Sequence, residues 1–448
     1  MQACLLMTER SRYYLMILCM KTTFPTALIG QDRVVGALVA MAAIAFLLPV
    51  KTQAQYTLDS CKALARANYP AIKRYSLIEK SCDYTVSNAA KAWLPQVSVA
   101  GNAAFFTDIM RDDILQSSVL HDIKNSLYSG SVQLSQTIYD GGSISSRRRT
   151  ARAQADVSTS QTNVTMYELN GRVEQIYFGI LTLDEQIGQN ALLQEDLGIS
   201  MNTVRSMMNG GIANQSDIDA VSVEQVRARQ EEEALRASRE SYILMLSIFI
   251  GEPINSGATF AKPVEQPLPD GTSRRPELAY YAAKGRLLDA QRKALDADIM
   301  PRVSAFGMGI YHNRVVNYME NGMFAGGITL SWNIGALYTR KNDIRNIDIE
   351  RQLNDVERET FIFNTSLDSQ NSNGVIRSLQ RQIALDDDII SLRQSIREKA
   401  EKKVLSGTET VNEMLRDVNA VSEARQTKAL HAIQLLQEIY NLKNINNN

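Results

Sequence analysis

Three histidines, His121, His312 and His431, are scattered over the 448-residue chain, and no spacing among them and the four cysteines matches a metal-ligand set. Met207-Met208 offers two soft sulfur donors beside a glycine turn, where apolar packing is the commoner use of methionine. There is no glycine-rich phosphate loop and no nucleophile-base constellation; Gly141-Gly142 reads as a turn between a strand and a helix. We therefore expect no enzyme, no cofactor and no bound metal. The chemistry that remains is charge placed at turns. Gly211-Ile212-Ala213-Asn214-Gln215-Ser216-Asp217 returns as Gly407-Thr408-Glu409-Thr410-Val411-Asn412-Glu413. Asn214 with Asp217, and Thr410 with Glu413, have capping-box spacing, so each carboxylate starts a helix just after a turn. Arg147-Arg148-Arg149 and Asp386-Asp387-Asp388 are further charge runs.

The two turns belong to a longer repetition. Ala92-Trp93-Leu94-Pro95-Gln96-Val97-Ser98 returns as Asp298-Ile299-Met300-Pro301-Arg302-Val303-Ser304, and Gly130-Ser131-Val132-Gln133-Leu134-Ser135 as Gly326-Gly327-Ile328-Thr329-Leu330-Ser331. Leu134 to Leu330 and Gly211 to Gly407 are both 196 positions, so the pattern between them carries no net insertion; Pro95 to Pro301 is 206, which puts a longer loop in the first half. Two halves build one pseudo-symmetric object.

Between the Pro and Gly-x-x-x-Leu signatures the apolar period is two. Val97, Val99, Ala103 and Phe105, then Val132, Leu134 and Ile138, alternate with small and polar residues, as do Val303 to Tyr311 and Phe324 to Trp332. Strands are expected at 96–107, 127–139, 302–313 and 323–334, each long enough to cross a bilayer when tilted, with apolar faces outward. After each pair runs a very long helical pattern, Ser143 to Asn209 and Leu337 to Ser406. At 1.5 Å per residue each is about 100 Å. The returns, 215–250 and 410–443, are about 50 Å, so the helices at 71–91 and 276–298 must cover the other half of each long helix.

Lys+Arg 48 against Asp+Glu 49 leaves a net charge of −1, which argues against nucleic acid. Val34 to Leu48 is an apolar run after Arg33 and before Thr52-Gln53-Ala54, the pattern of a signal peptide cut after Ala54, with Met20-Lys21 an alternative start. No later run reaches the roughly 20 residues of a spanning helix, so a membrane crossing must use strands. The expected organisation is 1–54 signal peptide, 55–251 first repeat, 252–275 proline-rich linker, 276–443 second repeat and 444–448 disordered tail. Cys61 and Cys82 lie symmetrically about Pro70-Ala71-Ile72 in an oxidising compartment, where a disulfide and two buried thiols are both open readings.

In their order and spacing these pieces resemble the TolC family of outer-membrane efflux proteins over about 57–443. The carrying residues are Leu58 to Ala65 with Asn68-Tyr69-Pro70, Trp93-Leu94-Pro95-Gln96, Leu134-Ser135 with Asp140-Gly141-Gly142, Arg275-Pro276-Glu277-Leu278, Pro301, Leu330-Ser331-Trp332 and the two glycine turns. The resemblance implies a mixed fold: a membrane β-barrel of twelve strands, four from each chain of a homotrimer, continued by a long α-helical barrel of coiled-coil hairpins. It implies residence in the bacterial outer membrane, contact with its lipid and a large periplasmic portion. Function as the passive channel of a tripartite export system follows, with an inner-membrane transporter and a periplasmic adaptor as partners. The adaptor would meet the tips at Gly210, Gly211, Gly407 and Thr408, and Asp217, Glu409, Glu413 and Arg416 become candidates for a periplasmic gate beyond their capping role. Val404, Glu409 and Arg416 stand where the family usually has an aromatic, a base and an acid, so Asp217 loses its usual latch partners and Arg416 becomes a candidate partner for Glu413 of a neighbour. Asp386-Asp387-Asp388 reads as tunnel lining, as a solvated face or as a contact with the adaptor. A soluble periplasmic coiled-coil scaffold is the competing reading of the helices, and it leaves the strands and the signal without a joint reason.

Overall fold

The computed structural model describes residues 55–105, 126–264, 274–313 and 321–446. The chain divides into Met1–Ala54 and Gln55–Asn448. The first unit, with the expected signal peptide, lies outside the described residues.

Within the second unit the four alternating segments form one antiparallel sheet, β1 Gln96–Phe105, β2 Ser126–Tyr139, β3 Arg302–His312 and β4 Gly322–Ser331, in the order β1-β2-β3-β4. The register decides what each face carries. Val97 lies opposite Leu134, Val99 opposite Val132, Val303 opposite Leu330 and Ala305 opposite Ile328. Directly opposed residues share a face, so every strand turns its expected apolar set to the same side. Ser98, Asn102, Ser131, Gln133 and Ser135 fall on the other side. Two details depart from the sequence pattern. A bulge between Thr137 and Tyr139 sets Tyr139 opposite Val303 and leaves Ile138 out of the ladder. The second face of β3 holds Phe306, Met308 and Ile310, so this strand is apolar on both sides.

The helices are α1 Leu58–Asn68, α2 Lys73–Lys91 after a short turn at Pro70–Ile72, α3 Ser143–Asn209, α4 Gln215–Ile250, α5 Pro276–Asp298, α6 Ala336–Leu405 and α7 Val411–Asn446. The element sequence α2-β1-β2-α3-α4 repeats as α5-β3-β4-α6-α7. Near the sheet, α3 packs between α2 and α5, and α5 packs on α6; toward the turns, α3 packs between α4 and α7, and α7 packs on α6. Each long helix is thus covered in two halves by two short ones. The second half adds a cross-helix ladder of ion pairs, Arg292 to Asp348 at 3.0 Å, Arg351 to Asp289 at 2.8 Å and Lys284 to Glu357 at 2.8 Å. These pairs are half exposed and worth little each. Among the described residues no helix is long and apolar enough to cross a membrane.

The main core lies where α1, the middle of α3, the end of α4 and α7 meet, around Cys61, Val173, Tyr177, Phe178, Ile180, Leu246 and Tyr440. The segment after α4 joins this core instead of looping free: Phe260 and Ile254 are buried, Tyr56 stacks on Phe260, and the Tyr177 hydroxyl sits between the carbonyl oxygens of Tyr56 and Ala261 at 2.8 and 2.7 Å. Arg275 anchors the next segment, its guanidinium 5.0 Å over the Tyr167 ring and 5.4 Å over the Phe361 ring, which ties both long helices to one cation. The C-terminal helix continues through Asn446, past the expected end at 443, because Arg274 N–H donates to the Asn446 carbonyl at 3.0 Å and Leu442 packs with Ile376. Cys61 and Cys82 are both free thiols. The open reading of a bond between them is not met: Cys61 is fully buried on the core side of α1, and Cys82 faces α3, its thiol donating to the Ala151 carbonyl at 3.9 Å.

The strand-to-helix joint of the first half rests on Asp140. Its buried carboxylate accepts from Gly142 N–H at 3.0 Å and Ile144 N–H at 2.6 Å, satisfying donors that the start of α3 would leave orphaned. Gly141 and Gly142 adopt φ +66° and +88°, and a Cβ on Gly141 would lie 2.6 Å from Met300 Cβ. Gly141→Ala should therefore combine backbone strain with a clash and cost about 1–3 kcal/mol. At Gly211, also left-handed, nothing lies within 4 Å of the same position. Thermal unfolding in detergent should show Gly141→Ala clearly less stable than Gly211→Ala; equal losses would contradict this reading of the joint.

Candidate functional site

The two helix-turn-helix tips are built by the same local physics. At the first, Gly211 takes φ +78°, Gly211 N–H donates to Met208 O at 3.0 Å and Ile212 N–H to Met207 O at 2.9 Å, closing the end of α3. Gly210 keeps a right-handed conformation at φ −82°. At the second, Gly407 takes φ +72°, its N–H donates to Val404 O and Thr408 N–H to Lys403 O, both at 2.9 Å. The return helices then start on reciprocal caps. Asn214 Oδ1 accepts from Ser216 and Asp217 N–H at 2.8 and 3.3 Å while Asp217 Oδ2 accepts from Asn214 N–H at 2.9 Å. Glu413 Oε2 accepts from Thr410 N–H at 2.9 Å and from the Thr410 hydroxyl at 3.0 Å. Those two bonds from Thr410 hold the Glu413 carboxyl below the usual glutamate range, with the Arg416 charge a smaller contribution.

The tips sit on a shared apolar cluster. Val204, Met207 and Val221 from the first hairpin pack with Val404, Val411, Met414 and Val418 from the second. Val404 is therefore spent on packing, and Met207 goes to the same cluster while Met208 stays exposed. Glu409 lies 3.6 Å from Lys403 of its own hairpin. Asp217 takes its bonds within its own cap, and no residue of the second hairpin pairs with it among the described residues. Arg416 is exposed and lines a charged cleft with Glu224, Arg227, Arg393, Asp417 and Glu423.

The polar ties between the hairpins lie farther from the turns than this apolar cluster. Asp196 Oδ2 on α3 accepts from Arg397 Nη1 of α6 at 2.9 Å and from Arg425 Nη1 of α7 at 3.4 Å, with Arg397 also donating to Glu401 at 2.9 Å. Asn419 Nδ2 donates to Glu224 Oε2 at 3.0 Å, joining α7 to α4. Asp386 is buried and meets His431 Nδ1 at 2.7 Å, and Asp387 pairs with Lys428 at 2.5 Å, so the first two acids of that run are engaged with α7, while Asp387 and Asp388 both remain exposed. Sequence reasoning missed these ties. Asp196 and Arg397 are separated by about 200 residues, and no local pattern links them.

Over residues 63–251 the sequence matches the model of the family described as outer membrane efflux protein. No curated protein matches the sequence. Among solved structures the chain is similar to the outer-membrane channel OprN, at 13% identity and TM-score 0.67, covering 87% of this chain and 89% of that one. It is similar to the CmeC outer membrane channel of Campylobacter jejuni, at 12% identity and TM-score 0.64 over 87% and 85% of the two chains. The open state of the MtrE outer membrane channel of Neisseria gonorrhoeae gives 15% identity and TM-score 0.62 over 86% and 88%. At such identities the likeness is one of fold: a four-stranded share of a barrel set on paired long helical hairpins.

Two outcomes are expected at this site. Asp196→Ala leaves two mostly buried guanidinium groups without their shared acceptor, at a cost of about 1–3 kcal/mol, and hydrogen exchange should speed up in 193–210 and 395–405 more than near Cys61. Uniform exchange along α3 would show the tie to be idle. For Glu413, a folded pKa below the unfolded one means that its stabilisation is present above the ordinary glutamate range and is lost as pH falls through the depressed value. The melting-temperature difference between the native protein and Glu413→Gln should therefore be full at neutral pH and vanish in acid; a difference independent of pH would remove the carboxylate from the cap.

Proposed function

We propose, from the premise that this chain carries an outer membrane efflux protein domain in the fold of outer-membrane channels, that it is one subunit of a homotrimeric channel passively conducting substrates across the bacterial outer membrane. The observation that carries the reading is the sheet: four strands of ten to fourteen residues with one face apolar but for Gln136 among its paired β2–β3 positions, and two open edges, β1 and β4. In lipid an unpaired edge leaves backbone N–H and C=O groups without partners, so such a sheet crosses a membrane only when closed on itself. Four strands are too few for one chain, and three chains give twelve. A soluble scaffold would instead expose Val97, Val99, Phe324, Ile328 and Leu330 to water on one contiguous face.

The helical layer supports the same count. α6 leaves an edge on which Ile349, Leu353, Val356, Phe363 and Leu367 are exposed at spacings of 4, 3, 7 and 4 residues, the pattern of a coiled-coil seam. A neighbouring subunit's α2 and α4 edge is the natural cover. We read 55–251 and 276–443 as the two repeats of the subunit. The tips at Gly210, Gly211, Gly407 and Thr408 are the surface offered to a periplasmic adaptor that couples the channel to an inner-membrane transporter. Asp217, Glu409, Glu413 and Arg416 are the charged groups of the periplasmic constriction. Because Asp217 and Glu409 are held within their own hairpins, the resistance to opening comes from Asp196 with Arg397 and Arg425.

The reading is tested by fractionation and by planar bilayers. The protein should run as a heat-modifiable trimer in the outer-membrane fraction and give stepwise conductance. Leu134 and Ser135 lie on opposite faces, and an arginine on the lipid face costs roughly 2–4 kcal/mol near midplane, so Leu134→Arg should reduce trimer yield much more than Ser135→Arg. Equal loss for both, or a soluble monomer, would sink the assignment.

A further inference from the structure

We propose that the inner face of the sheet is a binding strip for lipophilic small molecules passing through this channel. The inference rests on the channel reading, which sends the apolar face to lipid and the other face to the lumen.

The register identifies that inner face. It holds Ser129, Ser131, Gln133 and Ser135 on β2, Phe306, Met308 and Ile310 on β3, and Met323 on β4 directly opposite Ile310. The wall is therefore split lengthwise into a hydroxyl and amide side and an apolar side. On β3, which has a strand on either side, Phe306, Met308 and Ile310 are half-buried, and Met323 on the edge strand β4 is exposed. Phe306 is also held in place, since a Cβ on Gly327 would meet its Cε1 at 3.2 Å; the ring lies over the glycine backbone. A polar inner wall needs none of these four apolar side chains.

Charge is what the wall lacks. The four strands contain no Asp, Glu or Lys; Arg302, the first residue of β3, and His312, its last, are their titratable bases. Between those ends, over about 30 Å at roughly 3.3 Å per residue, the strands offer no charged side chain that would hold an ion or a charged polymer. An apolar molecule gains by leaving water for Met308, Ile310 and Met323, and flexible, polarizable methionine adapts to many shapes. Threefold repetition would set three such strips around the lumen, separated by hydroxyl-bearing strands that keep it wet.

The test compares two cations of equal charge in single-channel recordings. Tetraphenylphosphonium should interrupt the potassium chloride current of the native trimer for far longer than tetramethylammonium. In Met308→Gln with Met323→Gln, which keeps side-chain length and leaves Phe306 on its glycine, the tetraphenylphosphonium interruptions should shorten about tenfold with the potassium chloride conductance unchanged; if the pair fails to assemble, Met308→Gln alone is read in the same way. Interruptions equal for the two cations in the native channel, or unchanged by the substitutions, would overturn the proposal. Absence of any conductance from the native protein would instead refute the channel reading beneath it.

Discussion

The structure depends on an antiparallel register that four strands must keep together. Because side chains alternate with period two, a one-residue slip at any of the three pairings would send that strand's valines and leucines to the wrong face. Val97 opposite Leu134 and Val303 opposite Leu330 show the pairing in phase across both repeats. The bulge at Ile138 absorbs an extra residue just where β2 must hand the chain to Asp140 and α3. Glycine contributes in a local way: Gly309 and Gly327 give the Phe324 and Phe306 rings a place to lie flat, one on each face.

The helices inherit the edges of the sheet. A sheet in the order β1 to β4 continues into a layer whose members are also in chain-repeat order, so the molecule ends on one side at α2 and α4 and on the other at α6. Both ends are unpaired in the single chain, which is why α6 carries a seam of exposed apolar residues while α3, with neighbours on both sides, has more buried ones than any other described helix. The seam and the strand edges call for the same remedy, further copies of the chain.

Polar groups inside the layer are few and matched to the joints. Lys62 pairs with Glu174, whose carboxyl is nonetheless pushed up from its ordinary range by burial, the Lys62 charge offsetting only part of it. Burial likewise pushes the Cys61 thiol up to about 11, so it is an inert packing group at neutral pH. Near the tips the balance changes: Asp196, Arg397 and Arg425 cross between hairpins through partly solvated positions, and ties of that kind are strong enough to align helices yet weak enough to be exchanged.

Much of this was legible along the chain, because period-two and period-3.6 patterns, glycine after a long helix and Asn or Thr three residues before an acid are all set by neighbours in sequence. The sequence by itself determined the four strands and the shared side of their apolar residues, the repeat, the long helices with their half-length returns, and the caps at Asp217 and Glu413. Tertiary structure decided the rest: that Ile138 leaves the ladder, that α7 runs on to Asn446, that Cys61 and Cys82 face different neighbours, and that Asp386 turns to His431 instead of to solvent. It also decided that the charged tie between hairpins falls on Asp196 and Arg397. Those outcomes hinge on which residues far apart in the chain meet on adjoining helix faces, and that follows from the rotation of each helix about its axis once α3 has neighbours on both sides, a quantity no local spacing encodes.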